Sequence, residues 1–342
     1  MRRMEENVNI LEVSHVTKSF GSNRVISDLS FSVPEHSVFG FIGKNGAGKT
    51  TTMKMTLGLL KADAGEIFVN GEKVSFGENV TNRYIGYLPD VPEFYGFMTP
   101  QEYLKMCGDI TGMPREETKR KSEELLELVG LSQARKRIHG FSRGMKQRLG
   151  IAQALLNSPR LLICDEPTSA LDPVGRKEIL DILHSVREHT TVLFSTHILA
   201  DVERICDRIA FLHEGRIARS GTLEEIRGLR RGRDIEIEFL EAEDARRFLG
   251  LCENCVQEEA EATVSARQEG EAKAIISARQ EGEAKAIISA RQEGEAKAVV
   301  SVGQEGGMEK VMGILLDNRL PIRRLEQLDA TLEDLFMEVA GK

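Results

Sequence analysis

Residues Gly43-Lys44-Asn45-Gly46-Ala47-Gly48-Lys49-Thr50 fit the pattern G-x-x-x-x-G-K-[ST], and the chemistry of that pattern is the wrapping of a polyphosphate. Backbone N–H groups must reach the β-phosphate without a Cβ in the way, which asks for glycine at 43, 46 and 48, while the helix that follows points its positive end at the anion. Lys49 is the residue to neutralise β- and γ-phosphate charge, and Thr50 to place its hydroxyl on Mg²⁺. Asn45, Ala47 and Thr51 belong to the same nucleotide-binding stretch.

A second group of chemical residues closes an apolar run. Leu161-Leu162-Ile163-Cys164 is followed by Asp165-Glu166, two carboxylates at the carboxyl end of a strand, the edge where open α/β sheets gather their ligands. Asp165 is placed to hold Mg²⁺ and Glu166 to polarise an attacking water as general base. A strand ending in Asp-Glu is by itself a common helix cap or surface pair; the phosphate loop earlier in the chain gives it a catalytic meaning.

The surrounding pattern supplies elements to carry these groups. Short β-type runs, "ILEVSHVTKSF" and "DLSFSV", precede the buried run "SVFGFIG", so an antiparallel start feeds the strand before the phosphate loop. "TTMKMTLGLLK" follows the loop with helical spacing, and "GEIFVNGEKV" reads as a hairpin turning on Asn70-Gly71. Between about 95 and 160 the pattern is helical, with Ser142 as a helix start and Pro159 as a stop. The strand "RLLICDEP", the helix "GRKEILDILHSVREHT", the strand "TTVLFSTH", a short helix and the segment "RIAFLHEGRIARSG" follow. That alternation predicts a mostly parallel sheet covered by helices.

In this order and spacing the chain resembles the ATP-binding subunit of an ABC transporter, over roughly Ile10 to Gly221. The family's signature, typically Leu-Ser-Gly-Gly-Gln, aligns with Phe141-Ser142-Arg143-Gly144-Met145. The resemblance implies that Ser142 and Gly144 clamp the γ-phosphate of ATP bound to a second ATP-binding subunit. It also implies that Asp172 lies in the D-loop, that His197 is the switch histidine contacting the γ-phosphate, and that Phe20 stacks on adenine. Arg143 and Met145 depart from the consensus, and so does Asp90 in "YIGYLPDVPEFYG", where the family has Gln. Asp90 either joins the Mg²⁺ site or only caps its loop. The implied fold is α/β, a P-loop NTPase of the ABC ATPase type, with a mixed sheet core, an antiparallel β subdomain and a helical subdomain at about 95–160.

The implied activity is ATP hydrolysis with Mg²⁺. It drives a separate membrane permease through head-to-tail dimerisation of two ATP-binding subunits, with the permease contact near Asp90–Tyr103. The ending "IRRLEQLDATLEDLFMEVAG" resembles that of ATPases serving ABC-2 type exporters, which implies export and a place on the inner face of the membrane. The alternative is a soluble ATPase acting as a mechanical switch without a permease.

Composition bounds the rest. A net charge of −8 over 342 residues supplies no basic field to gather nucleic acid. No apolar run reaches the length of a membrane span, and the N-terminal stretch lacks the apolar centre of a signal peptide. Five cysteines suit reduced thiols, and the lone "CENC" at Cys252 and Cys255 is weak evidence for a metal. The organisation expected is an ATP-binding domain at 1–222 and a small α+β accessory domain at 223–342. Within the second, "ARQEGEAKAIIS" occurs three times from Ala266 to Ser301, the last copy ending "AVVS". Its even period and the alternation of "KAIISAR" predict strand-turn units extending a small sheet, with a solvated loop as the alternative. Its removal is expected to join a strand directly to a turn and helix with nothing missing, and to leave the nucleotide chemistry intact.

Overall fold

The computed structural model describes residues 8–78, 80–228, 234–257, 289–292, 296–301, 307–328, 332, 335 and 336. The chain divides into two units, Met1–Ile226 with Phe336–Lys342, and Arg227–Leu335.

The first unit opens with β1 (Asn9–Phe20), β2 (Asn23–Pro34) and β3 (Val38–Ile42). Helix α1 (Lys49–Thr56), β4 (Ala64–Val69), β5 (Glu72–Lys73) and β6 (Ile85–Leu88) follow. Then come α2 (Pro100–Thr111), α3 (Arg115–Leu128), α4 (Arg143–Leu155), β7 (Leu161–Asp165) and α5 (Pro173–Ser185). The unit closes with β8 (Thr191–Thr196), α6 (Leu199–Ile205), β9 (Arg208–His213), β10 (Arg216–Thr222) and α7 (Leu223–Gly228).

Two sheets result. The antiparallel one runs β2-β1-β4-β5; the other runs β10-β9-β3-β8-β7-β6, parallel from β9 to β6 with β10 antiparallel at its edge. Every residue of β3, β7 and β8 is buried, which is why these strands carry consecutive apolar residues where one-sided strands would alternate. One core joins the two sheets: Leu11, Ile26 and Val69 from the first, Phe41 and Ile163 from the second, and Met53 and Met55 of α1. Phe31 stacks on Phe39 and Phe41 at centroid distances of 5.9 and 5.1 Å.

Local signals set the ends of the elements. The β4–β5 hairpin turns on Asn70 and Gly71, at φ of 52° and 74°, the left-handed pair that an Asn-Gly turn supplies. Thr99 accepts from the Glu102 backbone while the Glu102 carboxylate accepts from the Thr99 backbone, a reciprocal cap that starts α2 beside Pro100. Helix α4 begins on Ser142, whose Oγ accepts from the Met145 N–H, and it ends before Pro159 as its sequence predicts.

The second unit contains β11 (Asp234–Phe239), α8 (Ala242–Gln257), β12 (Ser289–Gln292), β13 (Lys297–Ser301), α9 (Gly307–Asp317) and β14 (Ile322–Leu328). Its sheet is antiparallel, in the order β12-β13-β11-β14, which is a twice-split βαβ arrangement. Ile235, Ile237 and Phe239 of β11 meet Phe248 of α8 and Val311 and Leu315 of α9, with the Phe239 and Phe248 rings 5.4 Å apart. Helix α8 was not foreseen, although Ala245, Phe248 and Cys252 share its buried face at helical spacing. Cys252 is a core residue there. The helix expected after β14 lies largely outside the described residues.

The third repeat copy forms a hairpin. Ala290 pairs with Val300 and Gln292 with Ala298, and Ala298 and Val300 are fully buried in the unit's core. This is the strand-turn unit that the repeat predicts. It also corrects the expectation that removing every copy leaves the fold complete, because two strands of four would go. The first copy, and the second as far as Ile288, lie outside the described residues.

Candidate active site

The phosphate-loop residues leave the carboxyl end of β3 and run into α1. The Gly43 N–H donates to the Thr196 carbonyl at 3.3 Å, which ties the loop to the end of β8. Gly48 sits at φ +111°, outside the range of L side chains, and a Cβ on it would lie 2.3 Å from Ile26 Cδ1. Lys49, the first residue of α1, is almost fully buried and points back under the loop. Its ammonium donates to the Gly43 carbonyl at 2.6 Å and the Lys44 carbonyl at 3.4 Å, and it lies 3.0 Å from Glu166 Oε1.

Asp165 ends β7 and Glu166 follows it at φ 49°, a left-handed conformation that costs a non-glycine residue about 1 kcal/mol or more. Ser195 on the neighbouring strand holds both: its hydroxyl donates to Asp165 Oδ1 at 2.7 Å, and its Oγ accepts from the Glu166 N–H at 3.0 Å. The other Glu166 oxygen, Oε2, lies 2.9 Å from Nδ1 of His197, one residue beyond β8. The carboxylate is therefore held between a lysine and a histidine, aimed across the end of the sheet towards the phosphate loop. Two more residues tie these loops together. Thr168 donates to Asp201 Oδ2 at 2.6 Å, and Arg176 lies 2.7 Å from Asp201 Oδ1.

The remaining candidate residues sit apart from this pair. Thr50 and Thr51 lie in the first turn of α1, the former exposed, and Asn45, Gly46 and Ala47 form the tip of the loop. Phe20, about half exposed, ends β1 with the Lys18 ammonium 5.4 Å from its ring centroid. Ser142 caps α4, and Asp172 caps α5 through the Gly175 N–H at 3.1 Å. A Cβ on Gly144 would stand 3.9 Å from Leu171 Cδ2, so the start of α4 adjoins the segment before Asp172.

The Asp90 carboxylate lies 3.4 Å from Arg143 Nη2, so two of the three departures from the family pattern meet in one ion pair. The charge added by the aspartate is offset by the charge added by the arginine.

Ser195, Asp201, Thr168 and Gln147 escaped the sequence reading. Ser195 had a signal, a polar residue inside the apolar run "TVLFST" at a strand's carboxyl end. The other three needed coordinates, because nothing in their spacing shows what they bond.

Comparison with known proteins gives this arrangement its family. The family described as ABC transporter matches residues 26–169. Over 219 residues the chain is 45% identical to an uncharacterised ABC transporter ATP-binding protein, YxlF, of Bacillus subtilis (strain 168), covering 64% of this chain and 72% of the relative. The chain belongs to the ABC transporter ATP-binding family. This ATP-binding subunit is also 42% identical over 220 residues to the bacitracin transport ATP-binding protein BcrA of Bacillus licheniformis, covering 64% of this chain and 69% of that one. A solved ATP-binding subunit of an ABC transporter superposes with a TM-score of 0.59 at 35% identity, over 64% of this chain and 92% of its own. The P-loop NTPase fold and an ATPase activity follow for this ATP-binding subunit.

Proposed function

We propose that this chain is the ATP-hydrolysing subunit of an exporter, working as one of two ATP-binding subunits that close head to tail on ATP. Glu166 is the general base, and the observation that carries this is its carboxylate held between Lys49 and His197. His197 orients the carboxylate through Nδ1; Ser195 fixes the backbone from which it projects. A water positioned against Glu166 gives up its proton to the carboxylate as it attacks the γ-phosphorus, while the bond from that phosphorus to the bridging β-phosphate oxygen breaks and ADP leaves with phosphate as the other product.

Phosphate charge falls to Lys49 and to the N–H groups of residues 43–51, and adenine to Phe20. Ser142 and Gly144 serve the nucleotide of the facing subunit, with Asp172 near the seam. Thr50 and Asp165 suit Mg²⁺, since both offer hard oxygen donors and Mg²⁺ is commonly held by one or two protein oxygens together with substrate phosphates. When bound, the ion would neutralise charge between the β- and γ-phosphates. Asp90 is left to Arg143. Nucleotide chemistry is assigned to residues 1–222 and none of it to 223–342.

The permease contact is assigned to a groove of about 470 Å³ lined by Asp90, Val91, Phe94, Ile138, His139 and Arg143. Val91 is exposed in it and Tyr95 and Phe97 are exposed in the same loop, and a largely apolar groove with charged residues at Asp90 and Arg143 fits a partner helix. No described helix is long and apolar enough to cross a membrane, so spanning falls to another chain. Export rests on the resemblance of the ending "IRRLEQLDATLEDLFMEVAG" to ABC-2 type exporter ATPases, and the relative BcrA is named for bacitracin transport. The test is purification of the chain from detergent-solubilised membranes with identification of what accompanies it. A stoichiometric protein of several membrane spans is expected; recovery of the chain without one, from the soluble fraction alone, overturns the reading.

A further inference from the structure

Gln147 lies in the second turn of α4 and has no exposed surface. Its Nε2 donates to two backbone carbonyls, Asp90 O at 3.0 Å and Pro167 O at 3.3 Å. Asp90 belongs to the loop after β6 that lines the groove, and Pro167 directly follows Glu166. Three segments with different tasks thus meet at one buried amide: the helix that begins on Ser142, the groove loop, and the loop that carries Glu166.

The chemistry of that amide argues against a packing role. An amide has two N–H donors, and here one serves each carbonyl. Its Oε1 accepts no hydrogen bond from the described residues. Burying an amide with an idle acceptor costs free energy that an apolar side chain of the same shape avoids. What the apolar side chain lacks is a hold on both carbonyls. Glu166 itself sits at a strained φ, so its direction depends on what anchors its neighbours. On one side the Ser195 hydroxyl holds the Glu166 N–H; on the other, Gln147 holds the Pro167 carbonyl.

We propose that Gln147 is a positioning residue that sets the direction of Glu166 and links it to the groove loop and to the signature helix. It touches neither phosphate nor water in this role; it acts through the Pro167 peptide. A shift of α4 when Ser142 meets a nucleotide, or of Asp90 when a partner enters the groove, reaches the base through this side chain. The proposal rests on the reading of Glu166 as the general base.

Gln147→Met keeps the length and removes both donors. In the full-length chain its kcat should fall between about tenfold and a hundredfold, the usual scale for a misplaced group. KM for ATP should stay within about twofold, because Lys49 and the phosphate loop are untouched. In a Glu166→Gln background the same substitution should change the residual turnover by less than about twofold, since its effect passes through the base. A wild-type kcat in Gln147→Met, a KM rising in step with the loss, or an undiminished loss in the Glu166→Gln background overturns the proposal. Should Gln147→Met fail to fold, Gln147→Asn, one methylene short, is expected to show the same kcat loss at unchanged KM. Glu166→Gln alone separates the two readings: wild-type turnover there removes the base, whereas an inactive Glu166→Gln beside a fully active Gln147 variant removes only the positioning role.

Discussion

The Lys49 ammonium lies 3.0 Å from Glu166 Oε1, so the cation proposed for phosphate and the carboxylate proposed as the base are ion-paired with each other. Any phosphate that engages Lys49 competes with this pair. Glu166 must then rely on His197 and on its anchored backbone for its position.

Glu166→Gln should therefore separate binding from turnover. Turnover is expected to fall by about a hundredfold or more, the scale of a lost general base. Nucleotide affinity should hold or rise, because a carboxylate no longer competes for Lys49. Equilibrium binding of a fluorescent ATP analogue, measured beside steady-state hydrolysis, checks both; weaker binding in the variant would show that the ion pair does not compete with phosphate.

The Thr168–Asp201–Arg176 cluster predicts a stability effect. Asp201 is 2% exposed and its two oxygens are divided between a hydroxyl and a guanidinium. Asp201→Ala should destabilise the first unit by about 3 kcal/mol, the scale of breaking a buried pair from one side. Thr168→Val, which leaves one carboxylate oxygen without its donor, should cost about 1–3 kcal/mol. Urea denaturation followed by the fluorescence of a dye that reports exposed apolar surface reads both, and equal midpoints for wild type and variants would show the cluster to be inert.

Gly86 predicts a steric failure. A Cβ there would stand 2.2 Å from the Ala154 carbonyl oxygen, where β6 passes under α4, and backbone cannot step aside as a side-chain tip can. Gly86→Ala should lose about 3 kcal/mol or more and reduce soluble yield. A melting temperature within a degree or so of wild type would mean that α4 slides freely over β6.

Two thiols predict a pH effect. Burial pushes the Cys164 and Cys206 thiols far above their ordinary range, with neighbouring Asp165 and Asp207 adding to the rise. Above about pH 8.5 the unfolded chain ionises these thiols and the folded chain does not, so the unfolded state binds fewer protons and stability falls as pH rises. Neither thiol should alkylate at pH 8 until urea unfolds the first unit, and mass spectrometry after iodoacetamide will show it. Labelling in the native protein at the unfolded rate would contradict their burial.

Most of the fold and the phosphate-binding half of the site could be read from spacing. Glycines at 43, 46 and 48 and the carboxylates after "LLIC" are constrained by local backbone geometry, and local geometry is what a sequence displays. The junctions were opaque for the opposite reason. Gln147, Asp201 and Thr168 act across segments separated by 20 to 57 residues, and their types suit a surface as well as a junction. Asp90 and Arg143 were each visible as departures from a pattern, yet only coordinates show that they answer one another. Helix α8 was legible in principle, since Phe248 and Cys252 lie one turn apart.

The hairpin built by the third repeat copy has a consequence for the gene. Because every copy carries equivalent strand residues, a neighbouring copy can occupy β12 and β13 after one is lost, with Ile in place of Val at the buried position. Copying errors that add or drop one twelve-residue unit keep the reading frame and the sheet register together. Natural variants of this chain should then differ in length by multiples of twelve in this segment, while sharing one C-terminal sheet and one ATP site.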